Sequence, residues 1–310
     1  HLIEDGNEQA NTPETHAYLK EFYQLVKSIN PQAMLVGEVW DSSFAAVKYV
    51  KDQEMDMGFG FDLSTGLIKG LNQADAKRLG NSISFETNMY PDNSLATFLT
   101  NHDMNRVSNQ LLGDEGQMKN AAVLLLTLKG VPFVYYGEEI GMTGSKPDEQ
   151  IRTPMQWSAA DRAGFTTGGK AWMGVNSDYE KRNVELQSSD AGSLLNLYRA
   201  LVQLRQKTTA LLVGDYQWID TGSSQVYAAV REYEGQAILV VLNLTDGPLS
   251  DYAIDLDLNQ PAGSYSANAL LGESKLAGLT LDANGAAQDY RPLEELPAYA
   301  RLIIELRAGE

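Results

Sequence analysis

Residues 1–209 contain short apolar runs separated by segments whose apolar residues recur at helical spacing. The first amphipathic helix is predicted to begin at Thr12, an N-cap residue followed by Pro13 at the first helical position. The dipeptide Asn30-Pro31 is predicted to end it. Its apolar stripe consists of Tyr18, Phe22, Leu25, Val26 and Ile29.

Four apolar runs in this part of the chain are predicted to be strands. They cover residues 33–37, 55–63, 95–103 and 131–139, and helices are predicted over 43–52 and 116–130. Repeated strand–helix units with apolar strands indicate a parallel sheet that helices cover on both faces. The predicted fold class is therefore α/β, either a β/α barrel or an open doubly wound sheet.

Polar and charged side chains follow these strands at their carboxyl ends. Glu38 follows the first strand, and His102 and Asp103 end the third. Glu138 and Glu139 end the fourth. Because both kinds of parallel α/β fold build their active sites at that end of the strands, we expect the active site there.

The pattern changes in the second part of the chain. A long polar stretch over 143–191 precedes a predicted amphipathic helix over 194–206. Residues 225–245 predict two strands joined by a turn at Glu234-Gly235, and a further apolar run covers 300–306. We therefore expect a separate antiparallel β domain over residues 210–310, after a first domain over residues 1–209.

Composition and charge narrow the classes of partner. The 310 residues carry 24 Lys and Arg against 41 Asp and Glu, a net charge of −17, which argues against nucleic acid and against anionic membranes. The chain has no Cys and only three His, so disulfides, thiolate chemistry and a His-rich metal site are not expected. No apolar run approaches the roughly 20 residues of a membrane span.

Glu38 and Asp103 are the strongest candidates for chemistry. Two carboxyl groups facing one cleft suit general acid–base catalysis, and Trp40 could shield Glu38 from water and stack on a sugar ring. This combination suits glycoside hydrolysis. The alternatives are that Glu38 only terminates a strand at the surface and that His102 and Asp103 form a structural pair.

Four motifs decide between these interpretations. The segments "GEVWD", "FLTNHDMNR", "GVPFVYYGEEIGM" and "RTPMQW" occur in the order and at the spacing of the α-amylase family of glycoside hydrolases, which the chain resembles over nearly its whole length. The resemblance implies the carboxyl-terminal half of a (β/α)8 TIM barrel over residues 1–209. These residues would supply strands five to eight with their helices, followed by an antiparallel β-sandwich domain over 210–310.

The resemblance also assigns roles to individual residues. Glu38 matches the general acid/base at the end of the fifth strand, and Asp103 matches the third acid, which stabilises the transition state. His102 matches a ligand of substrate hydroxyls on the seventh strand. Trp40 and Arg106, which lie in the same motifs, are expected to bind substrate.

One part of the family pattern is missing. The catalytic nucleophile is an Asp near the end of the fourth strand, and "HLIEDG" resembles the end of that motif and the loop after it, with His1 as the motif's last residue. We therefore expect the nucleophile and strands one to four upstream of this chain, because Asp5 falls in the loop after the strand. His1 is expected to contribute a backbone carbonyl to a structural calcium ion or its side chain to substrate.

The activity implied by the resemblance is retaining hydrolysis of α-1,4-glucosidic bonds in starch-like glucans or malto-oligosaccharides, as in an α-amylase. The alternatives are an exo-acting α-glucosidase, an oligo-1,6-glucosidase or a trehalose-synthase-like transglucosylase. A non-catalytic carbohydrate-binding scaffold is the alternative from another class. We expect an extracellular or periplasmic bacterial location rather than a cytoplasmic one, and an upstream half of the same enzyme as partner.

Overall fold

The computed structural model describes residues 10–309, so the expectations for His1 and Asp5 lie outside the described residues. The chain alternates strands and helices up to Val213 and is mainly strand after it. The α-helices are α1 (Pro13–Ile29), α2 (Ser43–Lys51), α3 (Phe61–Asn72), α4 (Ala76–Met89), α5 (Val107–Gln110), α6 (Glu115–Thr127), α7 (Asp148–Ile151), α8 (Val184–Ser189), α9 (Leu194–Lys207) and α10 (Thr209–Val213). The strands of the first part are β1 (Val36–Gly37), β2 (Met57–Phe59), β3 (Leu95–Thr97) and β4 (Val131–Pro132).

These four strands form one parallel sheet in the order β1-β2-β3-β4. Val36 pairs with Met57, Gly58 with Leu95, and Ala96 with Val131. Each strand lies beside the one before it in sequence, which is the strand order of a β/α barrel. The sheet therefore confirms the prediction of the carboxyl-terminal half of a (β/α)8 barrel.

Three strands end earlier than the sequence pattern predicted. The second ends at Phe59, and α3 begins at Phe61 with Gly60 as its N-cap, so the prediction of a strand to residue 63 was wrong. The third ends at Thr97 rather than at residue 103. The fourth is followed by a 3₁₀ turn over Glu138–Ile140, which lies between Gly137 (φ 81°) and Gly141 (φ 69°). Apolar residues continue past the strand ends because they are buried elsewhere, as Leu63 and Leu99 are in the hydrophobic core that includes the helices.

Helices α3 and α4 pack against each other on the outside of the sheet, in a region that the sequence pattern left unassigned. Their contact faces are leucine-rich and fully buried, with Leu63, Leu67, Leu71, Leu79 and Ile83 all at 0% exposure. The four-residue spacing of the three leucines of α3 places them on one helix face. The same hydrophobic core continues through α6 and α9.

The carboxyl-terminal part forms the predicted antiparallel β structure. Its strands are β5 (Asp215–Ile219), β6 (Val226–Tyr233), β7 (Gln236–Asn243), β8 (Ile254–Asp257), β9 (Gly263–Leu271), β10 (Leu279–Leu281), β11 (Ala286–Tyr290) and β12 (Arg301–Ala308). Six of them form a sheet in the order β10-β9-β12-β7-β6-β5, and β11 pairs with β8. The predicted hairpin is confirmed, because β6 and β7 pair across Glu234 (φ 44°) and Gly235 (φ 84°).

Buried polar side chains join this sheet to the barrel helices. Gln117 and Asn120 of α6 donate to the backbone carbonyls of Leu244 (2.7 Å) and Asn243 (3.0 Å). Arg231 of β6 is 1% exposed and donates to the carbonyl of Thr127 at 2.7 Å. Because buried donors and acceptors that lose their partners are costly, these bonds fix how the two parts meet.

One side of the half-barrel carries an uncovered apolar surface. On α1, Tyr18, Phe22, Leu25 and Ile29 are 46%, 42%, 57% and 77% exposed, so the stripe predicted from the sequence forms but nothing in the described residues packs on its outer part. Within residues 10–309, β1 pairs with β2 alone and β4 with β3 alone. The described part of the chain contains no helix with the length and apolar character needed to cross a membrane.

Candidate functional site

The predicted site residues lie at the carboxyl ends of the parallel strands. Glu38 directly follows β1, and His102 and Asp103 lie in the loop that follows β3. Glu38 and His102 line the same cavity of about 190 Å³, together with Phe98 and Tyr135. The fold therefore brings Glu38 and His102 to one cleft, and Asp103 lies beside His102.

The floor of this cavity is aromatic. The ring of Phe59 packs edge-on against Phe98 and Phe133, with centroids 5.4 and 4.9 Å apart. Phe61 packs against Phe98 in the same way at 5.1 Å. Small-molecule sites are typically lined by apolar and aromatic side chains, with a few polar groups that orient the ligand. This cavity has that composition, with the Glu38 carboxyl and the His102 imidazole as polar groups.

Glu38 is held by the indole that follows it. Trp40 donates from Nε1 to Glu38 Oε1 at 2.9 Å, and its ring stacks on Phe61 with centroids 4.2 Å apart. Glu38 itself is exposed, so in this structure Trp40 orients the carboxylate without shielding it from water. A second cavity, of about 460 Å³, borders Glu38 on the side of α1.

Asp103 is held by an arginine to which sequence reasoning assigned no role. Arg152 donates from Nη2 to Asp103 Oδ1 at 2.5 Å and from Nε to the His102 carbonyl at 2.9 Å. The same guanidinium also bonds Asp148 at 2.8 Å. His102 Nε2 lies 3.5 Å from Asp103 Oδ2. The signal was present in the sequence, because Arg152 opens the quoted segment "RTPMQW".

Arg106 has a different environment from the one predicted for a substrate ligand. It is 2% exposed, and its guanidinium lies between the rings of Tyr135 and Tyr136, 4.7 Å from each centroid. Its Nη1 donates to the carbonyl of Tyr136 at 2.7 Å. In this structure Arg106 stabilises the turn after β4 instead of facing the cavity, so direct sugar contact by Arg106 is not supported.

The two acids predicted at the end of the fourth strand also turn inward. Glu138 is 5% exposed, and loss of contact with water raises its pKa to about 8, against the opposing effect of a 2.6 Å hydrogen bond from Tyr198. Burial raises the pKa of Glu139 as well. These carboxyls belong to the interior of the protein and not to the cleft.

The expected structural calcium ion has no cluster of acidic side chains to bind it in the part of the chain that the structure describes. Within residues 10–309, no three His, Asp or Glu side chains come together in an arrangement that could hold a metal ion. The expected calcium ligand, the backbone carbonyl of His1, lies outside those residues, so calcium stays a prediction and no chemistry is assigned to it.

Comparisons with known proteins agree with the motifs. The family model described as "Alpha amylase, catalytic domain" matches residues 2–214. The chain is 36% identical over 233 residues to Alpha-amylase 3 of Dictyoglomus thermophilum, which covers 73% of this chain and 45% of that protein. It is 30% identical over 298 residues to a glucan 1,6-alpha-glucosidase of Streptococcus pneumoniae, covering 79% of this chain and 55% of that protein.

Solved structures give the same result. The fold is similar to the crystal structure of an alpha-amylase from H. orenii, with a TM-score of 0.75 and 28% sequence identity. That similarity covers 96% of this chain and 58% of the other chain. The chain spans about half the length of the curated relatives it matches.

Proposed function

The chain belongs to the α-amylase family of glycoside hydrolases, and from this premise we propose that it supplies the proton donor of a retaining enzyme that cleaves α-1,4-glucosidic bonds in starch-like glucans. The observation that carries the proposal is the placement of Glu38 and His102 on one aromatic-floored cavity with Asp103 beside them. A binding scaffold has no need of two acids that follow the carboxyl ends of strands in the same parallel sheet.

Glu38 is proposed as the general acid/base. A retaining glycosidase protonates the leaving oxygen with one carboxyl group and forms a glycosyl intermediate on another, about 5–5.5 Å away. The Trp40 N–H bonds one oxygen of Glu38 and leaves the second free to face the glycosidic oxygen. The same carboxyl group then removes a proton from the water that hydrolyses the intermediate.

Asp103 is proposed to stabilise the transition state through hydrogen bonds with sugar hydroxyls, with His102 as a second ligand of those hydroxyls. Arg152 holds Oδ1 of Asp103, and Oδ2, which lies 3.5 Å from His102 Nε2, is the oxygen proposed to accept from the sugar. A fixed carboxylate stabilises a nearby oxocarbenium ion more strongly as the positive charge develops. Because the fold already holds the carboxylate in position, no reorganisation is needed during the reaction.

The nucleophile and the other half of the barrel are proposed to come from an upstream segment of the same enzyme. Three observations support this proposal: the four-stranded parallel sheet, the exposed apolar stripe of α1, and the cavity of about 460 Å³ between Glu38 and α1. Unpaired edge strands and exposed apolar surface favour pairing with further chain.

A second candidate activity is cleavage of α-1,6 bonds or transfer of a glucosyl unit. It is favoured by the similarity to a glucan 1,6-alpha-glucosidase over 79% of this chain. The upstream half would supply further walls of the cleft. Those walls would decide whether the enzyme cleaves within a glucan chain or at its end.

A panel of substrates assayed with the complete protein tests both candidates. Soluble starch and maltohexaose should be cleaved faster than isomaltose, maltose or trehalose, and the first products should carry the α-anomeric configuration. Faster turnover of isomaltose or trehalose would favour the second candidate. Sugar binding without any hydrolysis or transfer would make the protein a scaffold and contradict the proposal.

A further inference from the structure

Three polar side chains from three helices meet beneath the loop that carries Glu38. Ser43 is the first residue of α2, Asp62 lies in the first turn of α3, and Glu86 belongs to α4. Ser43 and Glu86 are 2% and 1% exposed, whereas Asp62 is open to solvent. We call these three residues the Glu86 cluster.

The hydroxyl of Ser43 lies between the two carboxyl groups. Its Oγ is 3.1 Å from Asp62 Oδ2 and 2.5 Å from Glu86 Oε1. The backbone N–H of Ser43 also donates to Asp62 Oδ2, at 2.9 Å. Two carboxyl oxygens therefore share one side chain that has a single proton to donate.

Both contacts can be hydrogen bonds if the Glu86 carboxyl group is protonated. Glu86 Oε2 has no hydrogen-bond partner, and the neighbouring Tyr90 hydroxyl is buried without one. An ionised carboxylate in that position would be buried with one bond and no cation, which is costly. A protonated Glu86 can donate to Ser43, and Ser43 can then donate to the solvent-exposed, ionised Asp62.

The titratable groups around Glu86 agree with this assignment. Loss of hydration raises its pKa to about 7, the Ser43 bond opposes the rise, and the Asp62 charge adds to it. Burial raises the pKa of Tyr90, the C-cap residue of α4, and the charge of Asp62 adds to the rise, so its hydroxyl stays neutral. Ser43 is the facing group from α2, and Asp62 is the facing group from α3.

The cluster joins the same two loops as the aromatic stack above it. Ser43 begins α2 directly after the loop that starts at Glu38, and Asp62 follows Phe61 at the start of α3. The Phe61 ring stacks on Trp40, whose N–H holds Glu38. A break between Ser43 and Asp62 would therefore loosen the stack that orients Glu38.

We propose that Glu86 is a positioning residue that, as a neutral acid, strengthens the link between the loop after β1 and the start of α3 through the Ser43 hydroxyl, and weakens that link when it ionises. The expected effect on kcat/KM rests on the proposed role of Glu38. The expected effect on the Trp40 loop does not. When Glu86 loses its proton, the Ser43 hydroxyl must donate to Glu86. Asp62 then keeps only the bond from the Ser43 backbone N–H, loses the one from the hydroxyl, and gains a like-charged neighbour.

The raised pKa of Glu86 fixes the sign of the pH dependence. Because the pKa of Glu86 is raised above its ordinary value, its contribution to the stability of the folded protein is fully present below about pH 4.5. That contribution falls as the pH rises toward 7 and is lost above it. Glu86→Gln keeps the shape and a donor but cannot ionise, so it should remove this part of the pH dependence.

The first test measures unfolding equilibria of the complete protein between pH 4.5 and 8.5, with wild type and Glu86→Gln. Glu185→Gln, at an exposed position on α8, is the matched control. The folded-to-unfolded ratio of wild type should fall roughly 10²-fold more than that of Glu86→Gln. The effect of Glu138 is present in both proteins and cancels. Equal slopes for wild type and Glu86→Gln would overturn the proposal.

The second test follows the loop itself. Tryptophan emission of wild type should titrate near pH 7, and the transition should be absent from both Glu86→Gln and Trp40→Phe. The kcat/KM of wild type on its α-glucan should fall over the same range, with Glu86→Gln retaining activity. When Ser43→Ala is already present, adding Glu86→Gln should have no further effect on the emission titration.

These readouts separate this inference from the proposed function. If the complete protein cleaves no glucan, the emission titration still decides whether Glu86 moves the Trp40 loop. A pH-dependent stability effect without any change in Trp40 emission would show that Glu86 is merely buried, and the positioning role would be wrong.

Discussion

The most quantitative prediction concerns Glu138, whose carboxyl group is buried in the 3₁₀ turn after β4. Replacing it by Gln keeps the shape and the acceptor for the Tyr198 hydroxyl, which lies 2.6 Å from Oε1. Glu138→Gln removes only the ability to ionise. Because Glu138 Oε2 has no partner, the amide N–H groups of the variant are unpaired too, which costs about 1–3 kcal/mol at every pH.

The magnitude follows from the raised pKa. Burial raises the pKa of Glu138 to about 8, and the ordinary value is 4.5. A difference of this size corresponds to up to about 5 kcal/mol between the two protonation states. The raised pKa means that the stabilisation is complete below pH 4.5 and is lost as the pH rises through 8. Glu138→Gln should therefore be the more stable protein at alkaline pH.

Urea unfolding of the complete protein at pH 5 and pH 9 is the assay. The difference in unfolding free energy, variant minus wild type, should increase by several kcal/mol between pH 5 and pH 9. Glu185→Gln, exposed on α8, should show no such rise. A difference that is the same at both pH values would mean that Glu138 is ionised in the folded protein, and the reasoning from burial would fail.

The site and the core support three further predictions. Trp40→Phe keeps an aromatic ring against Phe61 but loses the N–H bond to Glu38. Loss of one exposed hydrogen bond should lower kcat/KM about 2–10-fold. An unchanged kcat/KM would show that Trp40 does not orient Glu38. Arg152→Gln should lower kcat/KM about 10–100-fold through loss of a charge-assisted bond to Asp103, with the thermal midpoint nearly unchanged; a loss of stability without a kinetic effect would contradict it. Leu67→Ala, at 0% exposure, should lower the unfolding free energy by about 2–5 kcal/mol in denaturant titration, and a cost below 1 kcal/mol would argue against the close packing of α3 on α4.

The sequence predicted the architecture because its signals are local. The helix after Thr12 and the hairpin at Glu234-Gly235 follow from periodicity and turn chemistry. Periodicity left a barrel and an open sheet both possible, and the strand order of a barrel was expected only from the resemblance to the α-amylase family. Strand ends were overestimated because buried apolar residues, such as Leu63 and Leu99, continue past them. Phe61 is the clearest case, since it reads as strand but begins a helix.

The site could be predicted only in part. Glu38, His102 and Asp103 lie at strand ends, where the α/β rule places functional groups, and the motifs added their roles. The bonds made by Arg152 and the inward turn of Arg106 depend on contacts across 30 to 50 residues of chain. Periodicity carries no information about such contacts. The Glu86 cluster was missed for the same reason, because its members come from three different helices.

The central claim is that Glu38 delivers the proton to a glycosidic oxygen, and Glu38→Gln in the complete protein tests it most directly. Turnover should be measured on maltohexaose, whose leaving group needs protonation, and on a nitrophenyl α-glucoside, whose leaving group does not. General acid catalysis contributes about 10²–10⁴-fold, so the variant should lose that much on maltohexaose and far less on the activated glycoside in the step that forms the intermediate. Equal losses on the two substrates, or full activity on maltohexaose, would contradict the account.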